Sequence, residues 1–223
     1  SPLIWSQDFE ANISNYYINQ PEMKTKGDTI IILGINGFMY RQQFTILKYN
    51  IDGDIISTLT FGNDSVTNNQ IIDYKFDNKN SLYILQQDYL EYYKSKIVLQ
   101  KYSINGDLIW VQQIKNNSDT SYTPESIGLL NDTCIFVAAH KEYDYPDQGD
   151  DFIMTTSIPF VFACNNHGDS LWIREFNPYT EIDYYFHDIV TYNNEAFLFG
   201  NNELTYYCFV RIGMDNTVNV INN

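Results

Sequence analysis

The sequence predicts an all-β fold, a β-propeller of four-stranded blades, and three observations carry that expectation. One strand-turn-strand design recurs four times along 223 residues, and a second pair of strands recurs between its copies. The turns are spaced by 53 residues from Gly53 to Gly106 and by 62 from Gly106 to Gly168, close to the period of known propeller blades. Four such units fit a single domain over 1–223, with repeats at about 12–61, 69–114, 124–176 and 186–221.

The hairpin is clearest in FTILKYNIDGDIISTLTF, Phe44 to Phe61. It returns as KIVLQKYSINGDLIWVQQI (Lys96 to Ile114), as PFVFACNNHGDSLWIREF (Pro159 to Phe176) and, more weakly, as CFVRIGMDNTVNVI (Cys208 to Ile221). Asp52-Gly53, Asn105-Gly106, His167-Gly168 and Asp215-Asn216 sit between apolar runs and tolerate the positive φ of a tight hairpin. Three places beyond the turn glycine stand Ile56, Ile109 and Leu171, and eight places beyond stand Phe61, Ile114 and Phe176. Trp110 and Trp172 are each four places on, where the first copy has Ser57. Large side chains at a fixed offset point to a packing slot that recurs between repeats, with a ligand platform as the rival reading of the tryptophans.

The preceding strands are continuous apolar runs, as expected when both faces are covered: Thr29 to Asn36, Ser81 to Asp88, Thr133 to His140 and Glu195 to Asn202. Each follows a short strand and a polar turn, clearest at Ile71 to Phe76, Ser126 to Leu130 and His187 to Tyr192. SPLIWSQDFE, Ser1 to Glu10, looks like the second half of the hairpin alone, with Trp5 in the place of Trp110. Residues 1–9 therefore read as an outer strand that closes the ring, a position for which Thr217 to Ile221 also qualifies.

Composition narrows the partners. Hydrophobic residues make up 44% and aromatics 16%, including 19 tyrosines, which suits strands and excludes disorder. A formal net charge of −15 repels phosphate backbones and anionic lipid, so nucleic acid is excluded as a partner. The absence of any run of about 18 apolar residues argues against membrane insertion by a helix. Cationic proteins and neutral glycans remain. Cys134, Cys164 and Cys208 lie in apolar runs without C-x-x-C spacing and read as small core residues, a Cys134–Cys164 bridge being the alternative.

The hairpin pattern over Ile46 to Phe61, Ile97 to Ile114 and Val161 to Phe176, with Leu3 to Phe9 at the start, resembles secreted β-propeller repeat proteins of bacteria that use type IX secretion. The resemblance implies a bacterial protein at the cell surface or outside the cell, acting in protein or carbohydrate binding.

In a propeller, the loops from second to third strand and from blade to blade emerge on one face, where binding residues concentrate. Here they are Asn36 to Arg41, Asp88 to Lys94 and Lys141 to Pro159, together with Asn15 to Ile18, Asn117 to Pro124 and Asn177 to Tyr185. The candidate ligand-binding residues are Tyr40, Arg41, Tyr92, Tyr93, Tyr143, Asp144, Tyr145, Tyr179, Tyr184 and Tyr185. Tyrosine offers a rigid apolar plate with a polar tip for sugars or proteins, though such side chains also serve to cover loop bases. The acidic stretch Glu142 to Asp151 departs from the spacing of a calcium loop and reads as a solvated insertion, so no metal is assigned.

Catalytic motifs are missing from the sequence: there is no G-x-S-x-G, H-E-x-x-H or phosphate-binding glycine loop, and His140, His167 and His187 stand apart in sequence. Acid pairs such as Asp150 with Asp151 or Glu181 with Asp183 are expected by chance among 28 acidic residues. The expectation is a secreted or cell-surface module without catalysis or cofactor, binding a protein or glycan through a tyrosine-rich face. A carbohydrate-active hydrolase or lyase is the alternative, and a passive cargo or structural subunit the third.

Overall fold

The computed structural model describes residues 22–38, 41–61, 68–90, 94–114, 120–146, 153–176, 185–201 and 207–222. The chain divides into two compact units, Ser1–Gln70 and Ile71–Asn223. The N-terminal stretch expected as a closing strand lies outside the described residues.

The first unit carries one antiparallel sheet in the order β1 (Glu22–Lys26), β2 (Thr29–Phe38), β3 (Arg41–Asn50) and β4 (Ile55–Phe61). Its core is Ile31, Ile35, Phe44, Ile46 and Tyr49. The β2–β3 register continues to Phe38↔Arg41, so the stretch expected as a loop from Asn36 to Arg41 is largely strand.

The second unit repeats that sheet three times. Its strands are β5 (Asn68–Phe76), β6 (Leu82–Tyr89), β7 (Ser95–Tyr102) and β8 (Leu108–Ile114), then β9 (Ser121–Leu130), β10 (Cys134–Pro146), β11 (Ile153–Asn165) and β12 (Ser170–Glu175), then β13 (Tyr185–Tyr192), β14 (Glu195–Asn201), β15 (Tyr207–Gly213) and β16 (Val218–Asn222). Within each sheet, strands pair with their neighbours in chain order. The outer position on β15 is taken by β16.

The hairpin turns are one device used four times. Gly53, Gly106, Gly168 and Asn216 have φ of 90°, 87°, 88° and 65°, while the residue before each stays out of the left-handed region. In all four the N–H of the left-handed residue bonds the carbonyl three residues before it, which makes each turn a three-residue loop rather than the two-residue mirror-image turn, and in the first three a register shift follows. In three copies the first turn residue caps the loop. The side chains of Asn50, Ser103 and Asn165 accept the backbone N–H of Asp54, Asp107 and Asp169 at 2.8, 3.1 and 2.9 Å.

Two cores form on the two faces of the β9–β12 sheet. Alternate residues of β10 point opposite ways: Ile135, Val137 and Ala139 pack with Leu85, Leu99 and Tyr83 of the preceding sheet, and Cys134, Phe136 and Ala138 with Leu198, Val210 and Ile212 of the following one. That is why β10 is apolar at every position from Cys134 to Ala139. Cys134 and Cys164 are both free and buried in these two different cores, on opposite faces, so the bridge is excluded.

The tryptophans join sheet to sheet. Trp110 donates its indole N–H to the carbonyl of Asn166 at 3.1 Å, and Trp172 to that of Met214 at 2.9 Å. Asn166 and Met214 each lie two residues before the left-handed turn residue of the next hairpin. Trp110 meets Tyr83 edge-on at 6.0 Å between ring centroids, and its ring lies so close to Gly168 that a Cβ there would fall 3.1 Å from it. Of the other recurring residues, Ile114 and Phe176 are buried, but Ile56, Ile109 and Leu171 are 55%, 53% and 47% exposed. An odd separation along a strand places them on the face opposite Ile114 and Phe176, so the packing slot holds only part of the expected set.

Candidate functional site

Buried polar groups collect at one end of the second unit. That end is where the first and third strands of each sheet begin and the second and fourth finish. Among the described residues from Ile71 on, the buried polar side chains are Gln86, Gln87, Asp88, Ser95, Thr120, Ser126, His140 and Lys141 towards this end, and Asp77 at the other. Burying such groups costs free energy unless each finds a partner, so their concentration is informative.

The sheet of β5–β8 supplies two of the networks. Gln86 donates to Asp88, and Lys96 Nζ lies 3.5 Å from Asp88 Oδ2. On the other face of β6, Gln87 Nε2 donates to Ser95 Oγ at 3.0 Å, and Ser95 donates to the carbonyl of Tyr122 at 2.7 Å. The second network therefore ties the second sheet to the third.

The next sheet places a histidine between carboxylates. Glu125 is the extra residue of a bulge in β9, because Ala138 pairs with Ser126 and Ala139 with Pro124. The bulge also accommodates a proline within a strand. His140 lies with Nδ1 at 3.1 Å from Glu125 Oε1 and Nε2 at 3.2 Å from Glu142 Oε1. Burial alone would pull the imidazole pKa down, but the two carboxylates, one on each ring nitrogen, outweigh it and hold it up at about 9. The bond with His140 draws the Glu142 carboxyl below the usual range. Lys141, on the opposite face, pairs with Glu175 at 2.5 Å.

Deeper along the first strands, three sheets meet at Ser126. Its hydroxyl is 3.0 Å from Asp73 Oδ2 and 3.0 Å from Asp188 Oδ1, and Asp73 Oδ2 also accepts the N–H of Ile127 at 2.9 Å. Each aspartate also accepts the N–H of the next residue, Tyr74 at 2.7 Å and Ile189 at 2.8 Å. The hydroxyl has one proton and serves the two carboxylates in turn. Among the described residues, no group of three or more His, Cys, Asp and Glu is arranged to hold a metal.

Of the ten residues singled out from sequence, five are among those described. Arg41 begins β3 and Tyr185 begins β13, while Tyr143, Asp144 and Tyr145 continue β10. The stretch Lys141 to Pro159, expected as a loop, is instead a long hairpin of β10 and β11, paired from Lys141↔Ile158 to Pro146↔Ile153. Tyr40, Tyr92, Tyr93, Tyr179 and Tyr184 lie outside the described residues. His140, read from sequence as isolated, has Glu125 and Glu142 beside it. His140-x-Glu142 spacing on a strand was the available signal, whereas Glu125 is brought in only by the bulge.

No family model matches the chain, and no curated protein matches it. Solved structures do. A polysaccharide lyase, Uly1, matches with a TM-score of 0.58 at 9% identity over 92% of this chain and 49% of its own. A puromycin hydrolase matches at 0.56 and 12%, over 94% and 29%. A subtype N10 neuraminidase-like protein of A/little yellow-shouldered bat/Guatemala matches at 0.54 and 12%, over 94% and 59%. The fold is a β-propeller of four-stranded blades. The chain spans between 29% and 59% of these three proteins, and at such identities the likeness concerns the fold alone.

Proposed function

We propose that the chain is a secreted or cell-surface recognition or assembly module that binds a protein or a glycan at the polar end of its blades, and that it belongs with the propeller repeat proteins of type IX secretion. The observation that carries this reading is the layer of buried, mutually bonded polar groups at that end. Networks in which side chains lock one another's rotamers provide a rigid base for a binding surface. The carboxylates of Asp73 and Asp188 already accept backbone N–H groups, which suits a role in holding the first strands together. The test is capture: the purified chain as bait against a cell-envelope extract and a panel of soluble polysaccharides, with bound protein and bound sugar both analysed. One stoichiometric protein, or one glycan that competes away in soluble form, supports the module.

A second reading, a carbohydrate-active hydrolase or lyase, is favoured by Asp73 and Asp188 converging on one hydroxyl, since glycoside cleavage uses two carboxylates at a set separation. On that reading Asp73→Asn and Asp188→Asn each abolish turnover of a glycan while the melting curve stays in place. Loss of folding without any wild-type turnover rejects it.

A further inference from the structure

The hairpin of β10 and β11 outgrows its sheet. Pairing with β9 starts at Glu142↔Ser121, and pairing with β12 at Phe160↔Glu175. Phe176 adds one bond, to the carbonyl of Pro159 at 2.9 Å. Among the described residues, Ile153 to Ile158 thus pair only with β10, and their outer side is an open edge. In an antiparallel edge strand every second residue turns both its N–H and its C=O outward.

The two edges of this ribbon differ in sequence. The β10 edge, Tyr143 to Pro146, contains Asp144 and Pro146, a charge and a residue without N–H, which are the usual means of keeping other strands off. The β11 edge reads Ile-Met-Thr-Thr-Ser-Ile, with no charge, no proline and four β-branched residues. Such an unprotected segment is a template for strand addition. The chain as a whole carries a formal net charge of −15, which favours a basic partner.

We propose that the outer edge of β11 from Ile153 to Ile158 is a docking edge that takes up an extended strand of a protein partner with basic flanks. The inference rests on the recognition-module reading and specifies its partner as protein. The occupant adds a fifth strand beside β11, bonded mainly through backbone groups.

The probe is a synthetic peptide of alternating valine and threonine between paired lysines, with a second peptide of the same sequence whose alternate amides are N-methylated. Hydrogen exchange on the full chain is expected to slow at every second amide of Ile153 to Ile158 by about tenfold or more with the first peptide and not with the second. The double variant Thr155→Lys, Thr156→Lys, its fold checked by its melting curve, loses that protection. Equal action of both peptides, protection elsewhere, or none at millimolar peptide overturns the docking edge. So does concentration-dependent self-pairing through the same amides, which makes a second copy the occupant. Failure of the wild-type chain to capture any protein or glycan rejects the module, whereas capture that the double variant leaves unchanged rejects only the edge.

Discussion

His140 gives a prediction whose sign and size both follow from its surroundings. The imidazole is buried, is bracketed by Glu125 and Glu142, and has a pKa of about 9 against an ordinary 6.5. A pKa raised in the folded state means that the fold binds the proton more tightly than the unfolded chain does. The stabilisation is therefore complete below pH 6.5 and is lost as pH rises towards 9. At 1.36 kcal/mol per unit the difference amounts to about 3 kcal/mol. The buried thiols of Cys134 and Cys164, pushed up to about 11 and about 12, add a loss of the same sign only from about pH 9 upward. Urea unfolding of the wild type at pH 6, 7, 8 and 9 should show this fall. His140→Gln, already less stable at pH 6, should show a much flatter profile. Parallel profiles, or an imidazole NMR titration centred near 6.5, refute the reasoning.

Three further outcomes follow from packing. Trp110→Ala should cost about 3 kcal/mol, from partial loss of buried area, the edge-on contact with Tyr83 and one hydrogen bond. Trp110→Phe should cost about 1 kcal/mol, because Lys101 still donates to the Asn166 carbonyl at 3.2 Å; a neutral alanine variant with altered binding would reinstate the platform reading. Gly168→Ala should destabilise more than Gly27→Ala, since both glycines are left-handed but only Gly168 faces the Trp110 ring while Gly27 faces open space. Equal melting curves for the two contradict the packing of Trp110 against Gly168. Ser126→Ala removes the donor shared by Asp73 and Asp188 and should cost about 1–3 kcal/mol by chemical denaturation, with no loss meaning that the contact is idle.

The fold was legible because its information is local and repeated. The left-handed turn residue, the double-faced apolar strand and the tryptophan four places on each recur at fixed offsets, and the structure uses them alike in successive sheets. The polar end was less legible. Glu125 reaches His140 through a bulge, and Ser126 gathers Asp73 and Asp188 from strands more than fifty residues away in either direction. Neither relation leaves a period in the sequence. The charges and prolines of Lys141 to Pro159 resemble loop composition, yet Ile153 to Ile158 carries the β-branched residues that extend the strand. Ile56, Ile109 and Leu171 repeated faithfully and still proved exposed, since recurrence marks a position in the unit without saying which side of the strand is covered.

The central claim is that the polar end of the blades supports recognition. The most direct measurement is capture from a cell-envelope extract and a polysaccharide panel by the wild-type chain and by a Gln87→Leu, Ser95→Ala variant that dissolves the network beneath that end. The account predicts one defined protein or glycan bound by the wild type and at least about tenfold weaker binding by a variant that still melts cooperatively. Capture of nothing, together with turnover of a glycan that Asp188→Asn abolishes, would contradict it.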